Sequence, residues 1–243
     1  MTSNKDSKNN NISSEKILDF IVKNKNSLLG GLFAFIAILI GYGVFNNIKT
    51  EANKEAANAF YTIEKQYEAM VKPEAPKADV EQEAQAPEPK KLTEEQASQL
   101  LAKFDEVYKV HSGTPQAGFA LLDMVYILKD NGFIQKAIEL SEQKLEGLNK
   151  ESMPYAMGLL QLGSLQMESE NYEKAAANFE KVEKLDQVSF LKGEALIKKG
   201  LCYQAMNQLD QAKAVFTQAS QEYPDSEYGA SAKKYLKVLL INN

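Results

Sequence analysis

One stretch of this chain is written twice. LGSLQMESENYEKAAANFEKV, starting at Leu162, lies over KGLCYQAMNQLDQAKAVFTQA, starting at Lys199, with a displacement of 37 residues. Gly163 falls on Gly200, Tyr172 on Leu209, Ala175 on Ala212 and Phe179 on Phe216. A fainter copy, MVYILKDNGFIQKAIELSEQK, precedes them, with Ile134 and Ala137 at the matching places. In each copy two helix-periodic apolar stretches flank a short polar turn holding Asn131, Asn171 or Asn207. A small residue where the first helix crosses the second, then Ala and Phe four apart in the second, describe two helices locked into a hairpin. One such hairpin cannot bury its apolar face alone, so the copies must stack into a solenoid.

The surrounding sequence agrees. Beyond Thr93 no strand pattern of any strength occurs, and short breaks such as SGTP at Ser112, DNG at Asp130 and YPDS at Tyr223 divide helices of ordinary length. The last copy resembles the tetratricopeptide repeat, with Gly200, Tyr203, Ala212, Phe216, Ala219 and Pro224 at that family's signature spacings. Its period is longer than the usual ~34, which implies extra residues between hairpins near Leu185 to Phe190. Ser226 to Asn243 is expected to close the stack through Tyr235, Leu236, Leu239 and Leu240.

The N-terminal part has another character. From Asn26 to Ile48 no residue is charged, and SLLGGLFAFIAILIGYGVF at its centre would span roughly 30 Å as a helix. The run is too long for the apolar region of a cleaved signal and lacks a small-x-small cleavage site, so it predicts a retained anchor. Lys5, Lys8, Lys16, Lys23 and Lys25 precede it, whereas Lys49 and Lys54 follow among Glu51 and Glu55. That asymmetry places the N-terminus in the cytoplasm and sends the C-terminal part across, into the periplasm of a bacterium. Gly30, Ala34, Ala37 and Gly41 share one face of this helix and are candidates for contact with another transmembrane helix. The expectation is an all-α chain: a single N-terminal transmembrane helix followed by a tetratricopeptide-like helical-hairpin solenoid. Its segments are a cytoplasmic stretch at 1–26, the transmembrane helix at 27–48 and a helix leading out of the membrane at 49–71. A Pro/Glu/Ala/Lys-rich linker at 72–91 and the repeat domain at 92–243 complete it.

Composition narrows the function classes. The net charge is −5 and there is no arginine, so no basic face speaks for nucleic acid. Cys202 is the one cysteine and cannot form an internal disulfide; His111 is the one histidine and cannot form a histidine-rich metal site. No GxSxG, HExxH, CxxC or P-loop pattern occurs. Neither an enzyme nor a cofactor is expected.

What remains is the inner surface of the solenoid. Projecting the tetratricopeptide pattern puts Phe119, Leu122 and Tyr126 of the first copy on or near it. Met157, Leu160, Ser164 and Met167 follow from the second, then Ile197, Leu201 and Gln204 from the third. Some of these belong to the core. The set describes an apolar, methionine-containing groove suited to varied partners. Tetratricopeptide domains that clamp a C-terminal carboxylate use lysine and asparagine there, which this set lacks.

FIVKNKNSLLGG leading into the anchor, GYGVFNNIKTEANKEAANAFYTIE leaving it and GEALIKKG at Gly193 are similar to the YfgM family. The likeness covers roughly Glu15 to Phe216. That resemblance implies an inner-membrane companion of the bacterial Sec translocon, with a periplasmic repeat domain. It also implies association with the PpiD-like membrane-anchored chaperone and with emerging, unfolded secreted chains. The proline-rich 72–91 segment and the closing helix depart from that family. Two rival readings are an envelope scaffold without chaperone action and an import receptor facing a eukaryotic cytosol.

Overall fold

The computed structural model describes residues 25–72 and 90–241, with side chains of the first helix described from Leu39 onward. The described residues form nine α-helices and no strand. These are α1 (Lys25–Val71), α2 (Glu94–Val110), α3 (Pro115–Asp130), α4 (Ile134–Leu145), α5 (Met153–Glu168), α6 (Tyr172–Glu183), α7 (Ser189–Ala205), α8 (Leu209–Glu222) and α9 (Glu227–Ile241). A 3₁₀ turn, Asp186–Val188, precedes α7 and accounts for the extra length expected between hairpins. The chain divides into two compact units, Met1–Glu51 and Ala52–Asn243.

Among the described residues no helix is long and apolar enough to cross a membrane. Most of the span expected at 27–48, with Gly30, Ala34 and Ala37, lies outside the residues whose side chains are described. Gly41 is described, and a Cβ there would meet nothing within 4 Å.

The larger unit starts earlier than the repeat reading placed it. The helix residues from Ala52 to Val71, assigned above to a segment outside the repeats, pack within the repeat unit. Ala56 is fully buried, Ile63 is buried, and the Phe60 ring lies 5.8 Å from Phe104 of α2. The Lys90 N–H donates to the Val71 carbonyl at 3.0 Å, so the chain leaves α1 and returns toward α2 at one place. The expected linker at 72–91 is therefore an insertion in the turn of a hairpin, which costs little because loop-closure entropy grows slowly with length. Residues 73–89 themselves lie outside the described residues, as do 1–24.

From Ala52 the architecture is four helical hairpins, α1/α2, α3/α4, α5/α6 and α7/α8, closed by α9. Local chemistry starts the helices. Thr93 and Gln96 form a reciprocal capping box on α2; Thr114 and Ser152 cap α3 and α5, each with a proline in the first turn. The turns inside the last three hairpins are one motif repeated. The N–H groups of Phe133, Asn171 and Gln208 donate to the carbonyls of Leu128, Gln166 and Tyr203 at 2.8, 2.7 and 2.8 Å. This Schellman closure needs a left-handed residue just before the donor. Gly132 (φ 81°), Glu170 (φ 59°) and Asn207 (φ 57°) occupy that place.

Packing explains why the first copy is faint in sequence. Phe104, Phe179 and Phe216 fill the second helices of three hairpins and are fully buried. In the third and fourth hairpins the ring presses onto a glycine, Gly163 under Phe179 and Gly200 under Phe216. In the hairpin α3/α4 the sizes are exchanged: buried Val125 stands where the others have glycine, and buried Ser141 where they have phenylalanine. The pair fills similar space with the bulk on the opposite helix, so packing survives where sequence identity does not.

Candidate protein-binding groove

The first helices of the hairpins lie side by side and present one face. A cavity of about 570 Å³ opens across three of them. It is lined by Tyr126, Lys129 and Asp130 from α3, by Leu160, Gln161, Ser164 and Leu165 from α5, and by Glu194 and Lys198 from α7.

Its polar groups are arranged across the helices. Lys198 Nζ donates to Ser164 Oγ at 2.9 Å and pairs with Glu194 at 3.4 Å, so its ammonium is held over the gap between α7 and α5. Gln161 Nε2 donates to the Leu122 carbonyl of α3 at 3.3 Å. Gln161 Oε1 is buried with no hydrogen-bond partner, an acceptor unsatisfied within the lining of the cavity. Lys129 pairs with Glu168 at 3.6 Å, an exposed contact of little energetic weight.

The ten groove residues expected from sequence separate into distinct places. Tyr126, Leu160 and Ser164 line the cavity. Met157 is exposed on α5, one turn beyond the exposed Met153. Phe119 packs against the Phe60 ring of α1 at 6.3 Å, and Leu122 lies beside Gly158 of α5. Met167 packs on the main core, while Ile197 and Leu201 pack on a smaller one shared by α7, α8 and α9. Gln204 is half-buried, and its Oε1, like that of Gln161, has no partner.

The lining is more polar than the apolar groove expected, and lysine is present in it after all. Lys129, Asp130, Gln161, Leu165, Glu194 and Lys198 were not anticipated. A usable signal existed for two of them, because Gln161 and Lys198 each stand two residues before the repeated glycine. Lys129, Asp130 and Glu194 line the cavity as well, and no repeated position in the sequence marks them.

Toward the first hairpin the face turns acidic. Burial pushes the Asp123 carboxyl up to about 7, and the Glu64 carboxylate of α1 raises it further toward that value. Burial likewise pushes Tyr67 of α1 up to about 12, with Tyr126, Asp130 and Asp123 adding to it. Between α6, α7 and α8, Lys199 is buried and its ammonium contacts the Glu183 carboxylate of α6, whose other oxygen accepts from Gln218 of α8 at 2.9 Å. Burial pushes the Cys202 thiol up to about 11, so it is a packing residue and not a nucleophile.

A stack of helical hairpins with a groove along its first helices defines a repeat protein of the kind that takes part in protein–protein interaction. The chain belongs to the tetratricopeptide repeat-like domain family, which it matches over residues 19–240. Among solved structures it is similar to a Podosopora anserina protein of nearly identical, kinesin-light-chain TPR-like repeats. The identity is 16%, over 60% of this chain and 78% of that one, with a TM-score of 0.48. It is also similar to the second TPR domain of human RPAP3 in complex with an HSP70 peptide (16% identity, 51% of this chain, 98% of that one, TM-score 0.42). MamA from Desulfovibrio magneticus RS-1 is a third (17% identity, 60% and 84%, TM-score 0.42). No curated protein matches.

Proposed function

We propose that this protein is a membrane-anchored adaptor whose groove holds an extended segment of a partner protein. The observation that carries this reading is the cavity spanning α3, α5 and α7, with an unsatisfied buried acceptor at Gln161 among lysines and carboxylates. An extended main chain brings free N–H and carbonyl groups, which such a lining satisfies better than an apolar side chain would. The anchor is the uncharged run Asn26 to Ile48, and support comes from the exposed Leu39, Ile40, Val44, Phe45 and Ile48 of α1. The resemblance of the anchor's flanks to the YfgM family makes the bacterial inner membrane the site of action. It makes the Sec translocon, a PpiD-like chaperone and emerging secreted chains the partners, with no catalysis by the chain itself.

The test is purification of the tagged full chain in mild detergent, with identification of the proteins that accompany it. The expected result is recovery of Sec components and a membrane-anchored chaperone, with the chaperone lost when Lys198 and Tyr126 are replaced by Glu and Ala. Recovery of cell-division proteins without any Sec component would overturn the translocon assignment. Undiminished capture by the doubly substituted chain would overturn the groove as the binding surface.

A further inference from the structure

Two helices of this chain carry the same short pattern. FDEVY, from Phe104 in α2, and LDMVY, from Leu122 in α3, each set an aspartate three residues before a tyrosine, with a buried valine between. Residues three apart are neighbours on one helix face, so aspartate and tyrosine form one local surface in both places. In α2 that surface is filled from within the chain. The Lys144 ammonium pairs with Asp105 at 2.8 Å and lies 4.1 Å from the centre of the Tyr108 ring. The Tyr108 hydroxyl donates to the main-chain carbonyl of Lys144 at 2.8 Å. One tyrosine therefore holds both the ammonium and the backbone of the same lysine.

The copy in α3 faces the groove, and no lysine of the chain occupies it. Tyr126 is 49% exposed and lines the cavity, as does Asp130 one turn further on. Lys109, which also pairs with Asp105, at 2.5 Å, has the buried Ile127 as its counterpart in α3. The lysines of the cavity are engaged elsewhere, Lys129 with Glu168 at 3.6 Å and Lys198 with Glu194 and Ser164. On the neighbouring helices, Lys65 of α1 lies over the Tyr61 ring and Lys103 of α2 donates to Gln66. Among the described residues no lysine pairs with Asp123 or Asp130, and none lies over the Tyr126 ring.

We propose that Asp123 and Tyr126, with Asp130 on the next turn, form a cradle for the side-chain ammonium of a lysine in the partner's extended segment. This rests on the groove reading above and adds what the segment must carry. The partner's lysine takes the part that Lys144 plays at α2, its ammonium shared between a ring face and a carboxylate. The charge of the groove is complementary to it. Lys129 and Lys198 are each matched by a glutamate, which leaves Asp123 and Asp130 as unmatched carboxylates on α3. Burial raises both pattern carboxyls, but at Asp105 the bonds from Lys109 and Lys144 outweigh it, whereas at Asp123 the Glu64 charge adds to it. An ammonium from outside relieves that excess of negative charge.

The experiment is a fluorescence-anisotropy titration of the full chain, in uncharged detergent at physiological salt, with a short labelled peptide of alternating lysine and serine. The same peptide with its lysines acetylated is the comparison probe. The lysine peptide should bind saturably, and the acetylated one at least about ten-fold more weakly. Asp123→Asn keeps the shape and removes the charge; Tyr126→Leu keeps apolar bulk and removes the ring. Each should weaken the lysine peptide at least about five-fold. Asp210→Asn removes an exposed carboxylate of α8 outside the groove and should change nothing, which separates the cradle from the general acidity of a chain of net charge −5. No saturable binding at millimolar peptide would overturn the proposal. So would equal binding of the acetylated peptide, no loss in either groove variant, or the same loss in all three. In purification of the tagged chain with its partners, capture lost on substituting Lys198 and Tyr126 but kept by Asp123→Asn would overturn the cradle and leave the groove standing.

Discussion

Gly200→Ala isolates the contact on which the repeat is built. A Cβ at this position would stand 2.4 Å from Phe216 Cε1 and 2.8 Å from both Cδ1 and Cζ, far inside van der Waals distance. The ring has nowhere to retreat, because it is fully buried and stacked on Tyr235 of α9 with centroids 5.0 Å apart. Alanine itself favours the helix over glycine by about 1 kcal/mol. Overpacking a tight core costs about 1–3 kcal/mol, and the ring backed by α9 places this site near the upper end. The net expectation is a loss of about 2 kcal/mol, or a fall in Tm of roughly 4–8 °C for a unit of this size. Thermal unfolding followed by far-ultraviolet circular dichroism reads it directly. Phe216→Leu should be less harmful in the Gly200→Ala background than in the wild type, with a coupling of about 1–2 kcal/mol in the double-mutant cycle. A Gly200→Ala protein more stable than the wild type, or a cycle without coupling, would refute the argument that the glycine exists to admit the ring.

Three further outcomes follow from other parts of the fold. Glu170 holds a left-handed φ of 59° that Gly132 adopts in the hairpin before it, so Glu170→Gly should stabilise the domain by about 1 kcal/mol in urea unfolding. Burial raises the Asp105 carboxyl, but bonds from Lys109 and Lys144 outweigh it and hold the group below its ordinary 3.8. Its stabilisation is present above that value and lost as pH falls through the lowered one, so Asp105→Asn should cost about 1–2 kcal/mol at neutral pH and progressively less as pH falls below the ordinary carboxylate range. Cys202, fully buried with its thiol raised to about 11, should resist a disulfide reagent at mildly alkaline pH until the chain unfolds, after which it reacts at the rate of a free thiol.

The repeat was legible because its contacts are local. Gly163 and Phe179, or Gly200 and Phe216, lie in helices joined by one short turn, so their spacing is copied with the hairpin. Val125 and Ser141 escaped the same reading because exchanging bulk between facing positions preserves volume but erases identity. The first hairpin escaped it for another reason. Its helices are separated by the proline-rich insertion, and only the meeting of Val71 with Lys90 and of Phe60 with Phe104 joins them again. Among groove residues, Tyr126, Leu160 and Ser164 were reachable by projecting the tetratricopeptide pattern onto the first helices. Lys198 could be placed only by its register two residues before the repeated glycine, and that register does not show that Ser164 and Glu194 hold its ammonium over the gap.

The sequence alone determined that the chain is helical, that its helices pair into hairpins and that the hairpins must stack. Those properties rest on periodicity, turn chemistry and the area each hairpin leaves uncovered. It also determined the uncharged run near the N-terminus, since charge is a property of composition. Only tertiary structure decided that the stack begins at Ala52 and that its groove is polar. Each depends on which faces of separate helices are brought together, and spacing within a single helix does not determine that.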